Sequence, residues 1–496
     1  MIKKDFFKSS LIYTLSSALS TVASFLLLPF YTNTHLLDVS DFGALSLYIG
    51  LSLLVQVIAG FSIDAYVGVA YHEFKHEPKE LKANIASLNG YLIFIGIVIT
   101  LFVALGGNFF IQHYIENPNP AALRFVIMST LTGIFNAHFR VYNNLLIHLE
   151  KPWRYFWSNI LNFVTTVIFS IVILKMYPLT LEGPLWGRLL SCFSIFLLSF
   201  YEITYNYGIA FHKRFISPVL KFSIPLIITA VFQWVLSYSD RYIIKPLLFN
   251  KEVAVFDLAV RCTLLVGFLL DGLIGAMAAK IYALLREEDG SEKYTAEINK
   301  YYSSFNIVML VLIPFNILVL PIILPLFISD ERYVIAFLYF GIVCAGFLTK
   351  SVQNLFIFPM YFFRKTKMFI PINGIAAFIQ VALGYFMVKY FKLYGAAYTL
   401  NVVKLIQLLL YFYYCGELVS KKINKQKLIV LPIVALVIAC IPEPFIHSYG
   451  VQMHLFHLAE LVVIFAITYV VYRNEISGLV QWAVKTIMPN KASQTD

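Results

Sequence analysis

The sequence predicts an all-α polytopic membrane protein with about fourteen transmembrane helices. Three observations lead there. The chain of 496 residues is 60% hydrophobic and only 13% charged, with a mean hydropathy of +0.77. Residues 9–37, 83–115 and 301–329 contain no Asp, Glu, Lys or Arg. Each exceeds the roughly twenty residues that cross a bilayer at about 1.5 Å rise per residue. Finally, the basic residues between apolar runs alternate from one set of loops to the other.

The first span, 9–31, follows Lys8 and ends at Leu28-Pro29. The second, 43–70, follows Asp41-Phe42, and the third, 85–108, follows Pro78 and Lys82. Spans at 121–147 and 156–174 flank Lys151-Pro152, and a sixth, 184–205, ends before Lys213. The next four are predicted at 220–243, 254–280, 302–327 and 334–360, the last ending at Arg364-Lys365. Spans at 369–388 and 395–414 are separated by Lys389 and Lys392. A short thirteenth, 428–442, stops at Pro442 and Pro444, and 455–472 completes the set.

One set of loops carries 24 Lys and Arg, the opposite set 6. Basic loops stay cytoplasmic, so both termini are expected inside. The net charge of +11 is therefore mostly a topology signal. Nucleic-acid binding would call for a basic patch on a soluble domain, and none is present. No cleavable signal peptide is evident. Residues 1–8 and 477–488 suit short interfacial helices. Cys192, Cys262, Cys344, Cys415 and Cys440 stand singly in predicted spans and read as packing residues.

A weak internal repeat divides the chain. Lys151 to Asn159 aligns with Lys365 to Asn373, and the same shift carries Lys175 onto Lys389. Asp64 and Gly68 match Asp271 and Gly275 on the second helix of each half. The expected organisation is a six-helix lobe at 1–207, a parallel six-helix lobe at 208–415, and two further helices with a tail at 416–496.

Eight basic residues fall outside the two loop sets: Arg124, Arg140, Arg188, Arg241, Arg261, Lys280, Lys350 and Lys404. Arg124 and Lys280 sit near span ends and can snorkel. A cation at the bilayer centre costs roughly 2.5–3.5 kcal/mol, so the other six need water, an anion or a paired acid. Arg140 and Lys350 have no acid within one turn, which favours an electropositive chamber. Arg188, Lys404, Asp240, Arg241 and Arg261 are expected to join them as substrate-binding residues, the first two with Arg241 nearer the outer mouth. For Arg261, pairing with Asp257 at i,i+4 is an equal alternative. Asp64 and Asp271 are embedded acids. Each is a candidate for a coupling proton or Na⁺, or a simple neutraliser of a nearby cation.

Leu28-Pro29-Phe30-Tyr31 and Asp41-Phe42-Gly43-Ala44-Leu45-Ser46-Leu47-Tyr48 resemble the Wzx-type polysaccharide flippases of the multidrug/oligosaccharidyl-lipid/polysaccharide (MOP) exporter superfamily. Ser239-Asp240-Arg241-Tyr242 resembles that family's Asp-Arg motif, and His148-Leu149-Glu150-Lys151-Pro152 is similar to a family segment. Glu252-Val253-Ala254 departs from it, with Ala254 where Gly is usual. The resemblance covers about 1–415. It implies a flippase of the bacterial inner membrane acting on an undecaprenyl-pyrophosphate-linked glycan, such as an O-antigen or capsule repeat unit. Membrane lipid, a polysaccharide polymerase and glycosyltransferases are the implied partners. Lipid II flippases and cation-coupled multidrug exporters of the same superfamily remain alternatives.

An enzyme reading is also open. His72-Glu73-Phe74-Lys75-His76 is an HExxH match, the zinc-protease pattern, and Leu270-Asp271-Gly272 resembles a third-ligand motif. Pro78 argues against it, because it forbids the continued helix on which the two imidazoles must sit. No P-loop, dinucleotide fingerprint or nucleophile elbow occurs, so primary ATP-driven transport by this chain alone is not expected. The expectation is a non-enzyme with no metal and no cofactor beyond a coupling proton or Na⁺.

Overall fold

The computed structural model describes residues 4–114, 121–286, 292–328, 330–418, 423–441, 446 and 448–477. The proposed interfacial helix at 477–488 and the stop at Pro442 and Pro444 lie outside these residues, apart from Ser477 itself. Among the described residues every regular element is helical.

The helices follow the predicted order. α1 is Lys4–Leu26, extended by a single turn at Leu28–Tyr31 that Pro29 restarts. α2 runs Val39–Phe74 and is broken once, at Phe61 and Ser62. Asp38 caps it by accepting the Ser40 amide at 3.0 Å. α3 (Pro78–Tyr114), α4 (Ala122–His148), α5 (Pro152–Met176) and α6 (Glu182–Tyr207) complete the first six spans. α7 is Lys213–Leu247, α8 Asn250–Arg286 and α9 Glu292–Ile323. α10, Glu331–Phe362, contains a 3₁₀ turn at Gly346–Leu348. The expected loop between spans eleven and twelve shrinks to one residue. Lys392, at φ 53°, breaks a continuous run Phe369–Cys415 into α11 (369–391) and α12 (393–415). α13 (Gln426–Cys440) opens with a π turn, and α14 is Val451–Val471.

Ten described helical runs, α11 and α12 counted as one, are long and apolar enough to cross a membrane, and α4 is not among them although it has 27 residues. Asn136, His138, Arg140, Asn143 and Asn144 lower its hydropathy. α4 thus carries polarity that the bilayer penalises, which makes it a place to look for function.

The chain forms two compact units. The first comprises 1–258, 327–333 and 373–393; the second comprises 259–326, 334–372 and 394–496. In the first, a buried cluster of Ile63, Tyr66, Val67, Ile85, Leu88, Phe139, Tyr142, Leu145 and Ile195 ties α2, α3, α4 and α6 together. Small residues let these helices close. A Cβ at Gly133 of α4 would strike the Ser52 carbonyl of α2. The same unit includes α7, whose Trp234 donates to the Gly50 carbonyl at 2.8 Å and whose Tyr242 donates to the Leu47 carbonyl at 2.7 Å.

In the second unit α13 and α14 are integral. Tyr472 donates to the Lys427 carbonyl at 2.7 Å, and Asn306 of α9 bonds the Leu428 carbonyl at 3.3 Å. Tyr449 reaches the Pro321 carbonyl at 2.8 Å, and Tyr398 of α12 reaches the Cys440 carbonyl at 3.0 Å.

Candidate functional site

The break in α2 builds the centre of the site. Phe61 (φ 46°) and Ser62 (φ 53°) both adopt the left-handed conformation, which costs a non-glycine residue about 1–2 kcal/mol. The helix restarts at Ile63, and Asp64 follows in its first turn. Asp64 Oδ2 then lies 2.7 Å from Arg140 Nε of α4. The Asp64 side chain is only 12% exposed, whereas that of Arg140 is 59% exposed. The acid is held by protein while most of the guanidinium remains presented. This corrects the expectation that Arg140 has no acidic partner: the partner comes from another helix, beyond any i,i+4 search. Of the two roles open to Asp64, neutralising a cation is the one visible in the structure.

Around Arg140 the polar groups continue. Asn136, Arg140 and Asn143 recur at i, i+4 and i+7, one face of α4. Asn143 Nδ2 donates to Asn159 Oδ1 of α5 at 3.3 Å, and Ser158 donates to Asn143 Oδ1 at 3.3 Å. Further along α5, Thr166 bonds Asn162 Oδ1 at 3.4 Å and the Ser191 hydroxyl of α6 at 2.8 Å. Arg188, half-buried on α6, lies within electrostatic reach of Cys192, which sits beside Asn136. Among the described residues Arg188 has no carboxylate within ion-pair distance. The result is an amide- and hydroxyl-lined strip across α4, α5 and α6 that carries two guanidinium groups.

The second unit has its own cations. Lys350 of α10 and Lys404 of α12 lie within electrostatic reach of each other. The Lys404 ammonium rests over Gly346 beside Asn401, and 5.3 Å from the Phe347 ring centre. A side chain at position 346 would displace it. Gln353 and Gln407 bond across the same two helices at 3.3 Å. Among the described residues neither lysine has a carboxylate within ion-pair distance.

Other expected site residues are placed differently. Asp240 and Arg241 are 4% and 2% exposed and face protein. Arg241 Nη1 bonds Asp240 at 2.8 Å, and its Nε bonds Asp257 at 2.8 Å. Nη1 also donates to the Ser237 carbonyl at 2.9 Å. Arg241 is therefore corrected from a chamber-lining cation to the centre of a buried ion cluster. Here α7 and the start of α8 supply both acids, one adjacent in sequence and one sixteen residues on. Asp257 is thereby engaged by Arg241. Arg261 is half-buried on α8. Asp271 is exposed and has no ion-pair partner among the described residues, so it does not share the environment of Asp64, its expected counterpart. Arg124 pairs with Glu182 rather than standing free.

The HExxH segment does not form one helical face. α2 ends at Phe74, and the next helix starts at Pro78. The His72 ring packs edge-on against His148 at 5.3 Å, and His148 in turn lies on Gly68.

Sequence reasoning missed the amides Asn136, Asn143, Asn159 and Asn162. Their spacing on α4 and α5 was visible, but they carry no charge to draw the eye. It also missed His457 and Glu460 of α14, which are 1% and 4% exposed.

The comparisons with known proteins bear on this arrangement. A family described as polysaccharide biosynthesis protein matches residues 6–278, more than half of the chain. No curated relative matches the sequence. Among solved structures, the lipid II flippase MurJ in an inward closed conformation superimposes with a TM-score of 0.67 at 13% identity, over 94% of this chain and 100% of that one. The MATE multidrug transporter DinF-BH gives 0.58 at 12% identity, over 86% and 97%. An outward-facing MATE family transporter of the MOP superfamily gives 0.52 at 13% identity, over 84% and 95%. At such identities the likeness is one of fold. With more than half of its length matched, the chain belongs to the polysaccharide biosynthesis protein family.

Proposed function

We propose that this protein flips an undecaprenyl-pyrophosphate-linked oligosaccharide, an O-antigen or capsule repeat unit, across the bacterial inner membrane by alternating access. The observation that carries this reading is the pair Arg140 and Arg188 on the polar strip of α4–α6, in spans otherwise built for lipid. Guanidinium forks suit phosphate oxygens, and the surrounding amides suit sugar hydroxyls. The second unit by itself carries two cations, Lys350 and Lys404, within electrostatic reach of each other. A carrier of cationic drugs would want the opposite lining. In this reading the basic-rich loops and both termini lie in the cytoplasm, where glycosyltransferases deliver the substrate. A polymerase receives the flipped product on the opposite side.

The test is flipping in proteoliposomes. Undecaprenyl-pyrophosphate-linked oligosaccharide should become accessible to an external glycosidase in vesicles that contain the protein. Arg188→Gln should lose most of that rate at unchanged reconstitution. Equal or faster flipping of lipid II would move the assignment to peptidoglycan precursors. Extrusion of a cationic dye with no glycan flipping would sink it.

A further inference from the structure

We propose that His457 and Glu460 of α14 form a proton-binding site. The coupling ion would then be a proton carried by the last helix rather than an ion on Asp64 or Asp271.

The two side chains face inward on one stripe. Met453, His457, Glu460, Ile464 and Thr468 are the buried residues of α14, spaced as the inner face of a helix. His457 Nδ1 lies 3.3 Å from Glu460 Oε2, and both side chains are at most 1% exposed. Among the described residues His457 Nε2 and Glu460 Oε1 have no hydrogen-bond partner. Glu460 stands nine residues into α14, about 14 Å at 1.5 Å per residue, close to half of a roughly 30 Å hydrocarbon layer. A bare carboxylate there, beside a neutral imidazole, leaves one uncompensated charge in the bilayer core. One proton held on the Glu460 carboxyl, beside the neutral imidazole, makes the pair neutral overall. The site thus binds a single proton, and losing it creates a net negative charge.

The surroundings indicate what that charge would act on. The Cys344 thiol of α10 lies within electrostatic reach of both Glu460 and Lys404, and Lys404 of Lys350. Cys344 thus stands between the proton site and the two lysines, and in this proposal charge at one is coupled to charge at the other. An anion placed on the two lysines would favour a proton on Glu460. His454, half-buried one turn before His457, is within its electrostatic reach. The Tyr449 ring packs edge-on to His454 at 5.5 Å. Tyr449, His454, His457 and Glu460 therefore rise in order from the basic-poor end of α14. Among the described residues these, with Cys344, are the titratable groups facing the pair. They mark a route by which a proton from water at that end reaches Glu460, with no other reactant consumed.

The coupling to Lys350 and Lys404 rests on the flippase reading above; the proton site itself does not. The full chain in lipid nanodiscs is followed by infrared difference spectroscopy as pH is varied. A protonated-carboxyl band should be present at neutral pH, vanish in Glu460→Gln and shift in His457→Gln. An unchanged band in Glu460→Gln, or its absence from the parent, overturns the proposal. His457→Gln keeps the test open if Glu460→Gln folds poorly. Undecaprenyl pyrophosphate is then added with a pH-indicating dye, and its binding is measured by native mass spectrometry. Binding should draw protons from solution in the parent and not in Glu460→Gln. Equal uptake in both refutes the coupling. Failure of the lipid to bind the parent refutes the flippase reading and leaves the infrared result standing.

Discussion

Removing Arg140 and removing Asp64 are unequal changes. The acid is nearly buried and the base more than half exposed. Arg140→Gln strands a carboxylate, whereas Asp64→Asn leaves a cation that water or an anionic ligand can satisfy. Arg140→Gln should therefore destabilise the protein by about 1–2 kcal/mol, below the buried-pair range because one partner is solvated, and Asp64→Asn by less. The double variant should recover most of the melting temperature without recovering flipping, if the guanidinium also contacts substrate. Arg140→Lys should keep partial activity, since charge survives without the bidentate fork. A double variant that flips at the parent rate would assign Arg140 a purely structural role. The contrast with Arg241 is instructive. Both are arginines deep in predicted spans, and sequence placed both in a chamber. What separates them is the source of their acids, which only the packing of α7 on α8, or of α2 on α4, reveals.

At the level of helices, the first unit is closed along the basic-poor ends of α2, α7 and α8. Gly43 is where the backbones meet: a Cβ there would collide with the Asn250 carbonyl. Phe42 is buried between Tyr31 and Tyr333, with the Tyr333 ring edge-on at 5.7 Å. Thr34 donates to Asp330 at 2.7 Å. The Arg332 side chain, hydrogen-bonded to Asp330, holds that carboxyl well below its usual range. Its stabilising contribution is complete above the ordinary carboxylate pKa and fades only as pH falls through the lowered one, so mild acid should leave this corner intact. Gly43→Ala should not. Overpacking there should cost about 1–3 kcal/mol and part α2 from α8. A cysteine at Ser46, 1% exposed in the parent, should then react several-fold faster with a soluble maleimide. Unchanged labelling would mean that the seam absorbs the methyl group. The residues at this seam were legible as a family-like segment, Asp41 to Tyr48, but their partners were not. Gly43 looks the same in sequence whether it touches lipid, solvent or a neighbouring carbonyl.

Across the whole molecule, the span count and order were legible because hydrocarbon imposes a length and excludes charge, and both are written locally. Breaks inside spans were not. Phe61, Ser62 and Lys392 hold left-handed conformations that their residue types do not advertise. The division into compact units was not legible either, since α7 joins the first six helices while α13 and α14 join the second unit through side chains such as Tyr472 and Asn306. Loop charge is the other local record, and it makes a prediction for the molecule in the cell. Thr180 lies in a basic-poor connection and Glu77 in a basic-rich one. The bias that keeps Lys and Arg on the cytoplasmic side puts these two positions on opposite faces of the membrane. Thr180→Cys should react with a membrane-impermeant maleimide in cells whose inner membrane is intact. Glu77→Cys should react only after that membrane is opened. Equal labelling of both in intact cells would break the alternation of loops, and with it the assignment of any of the fourteen helices as a full crossing.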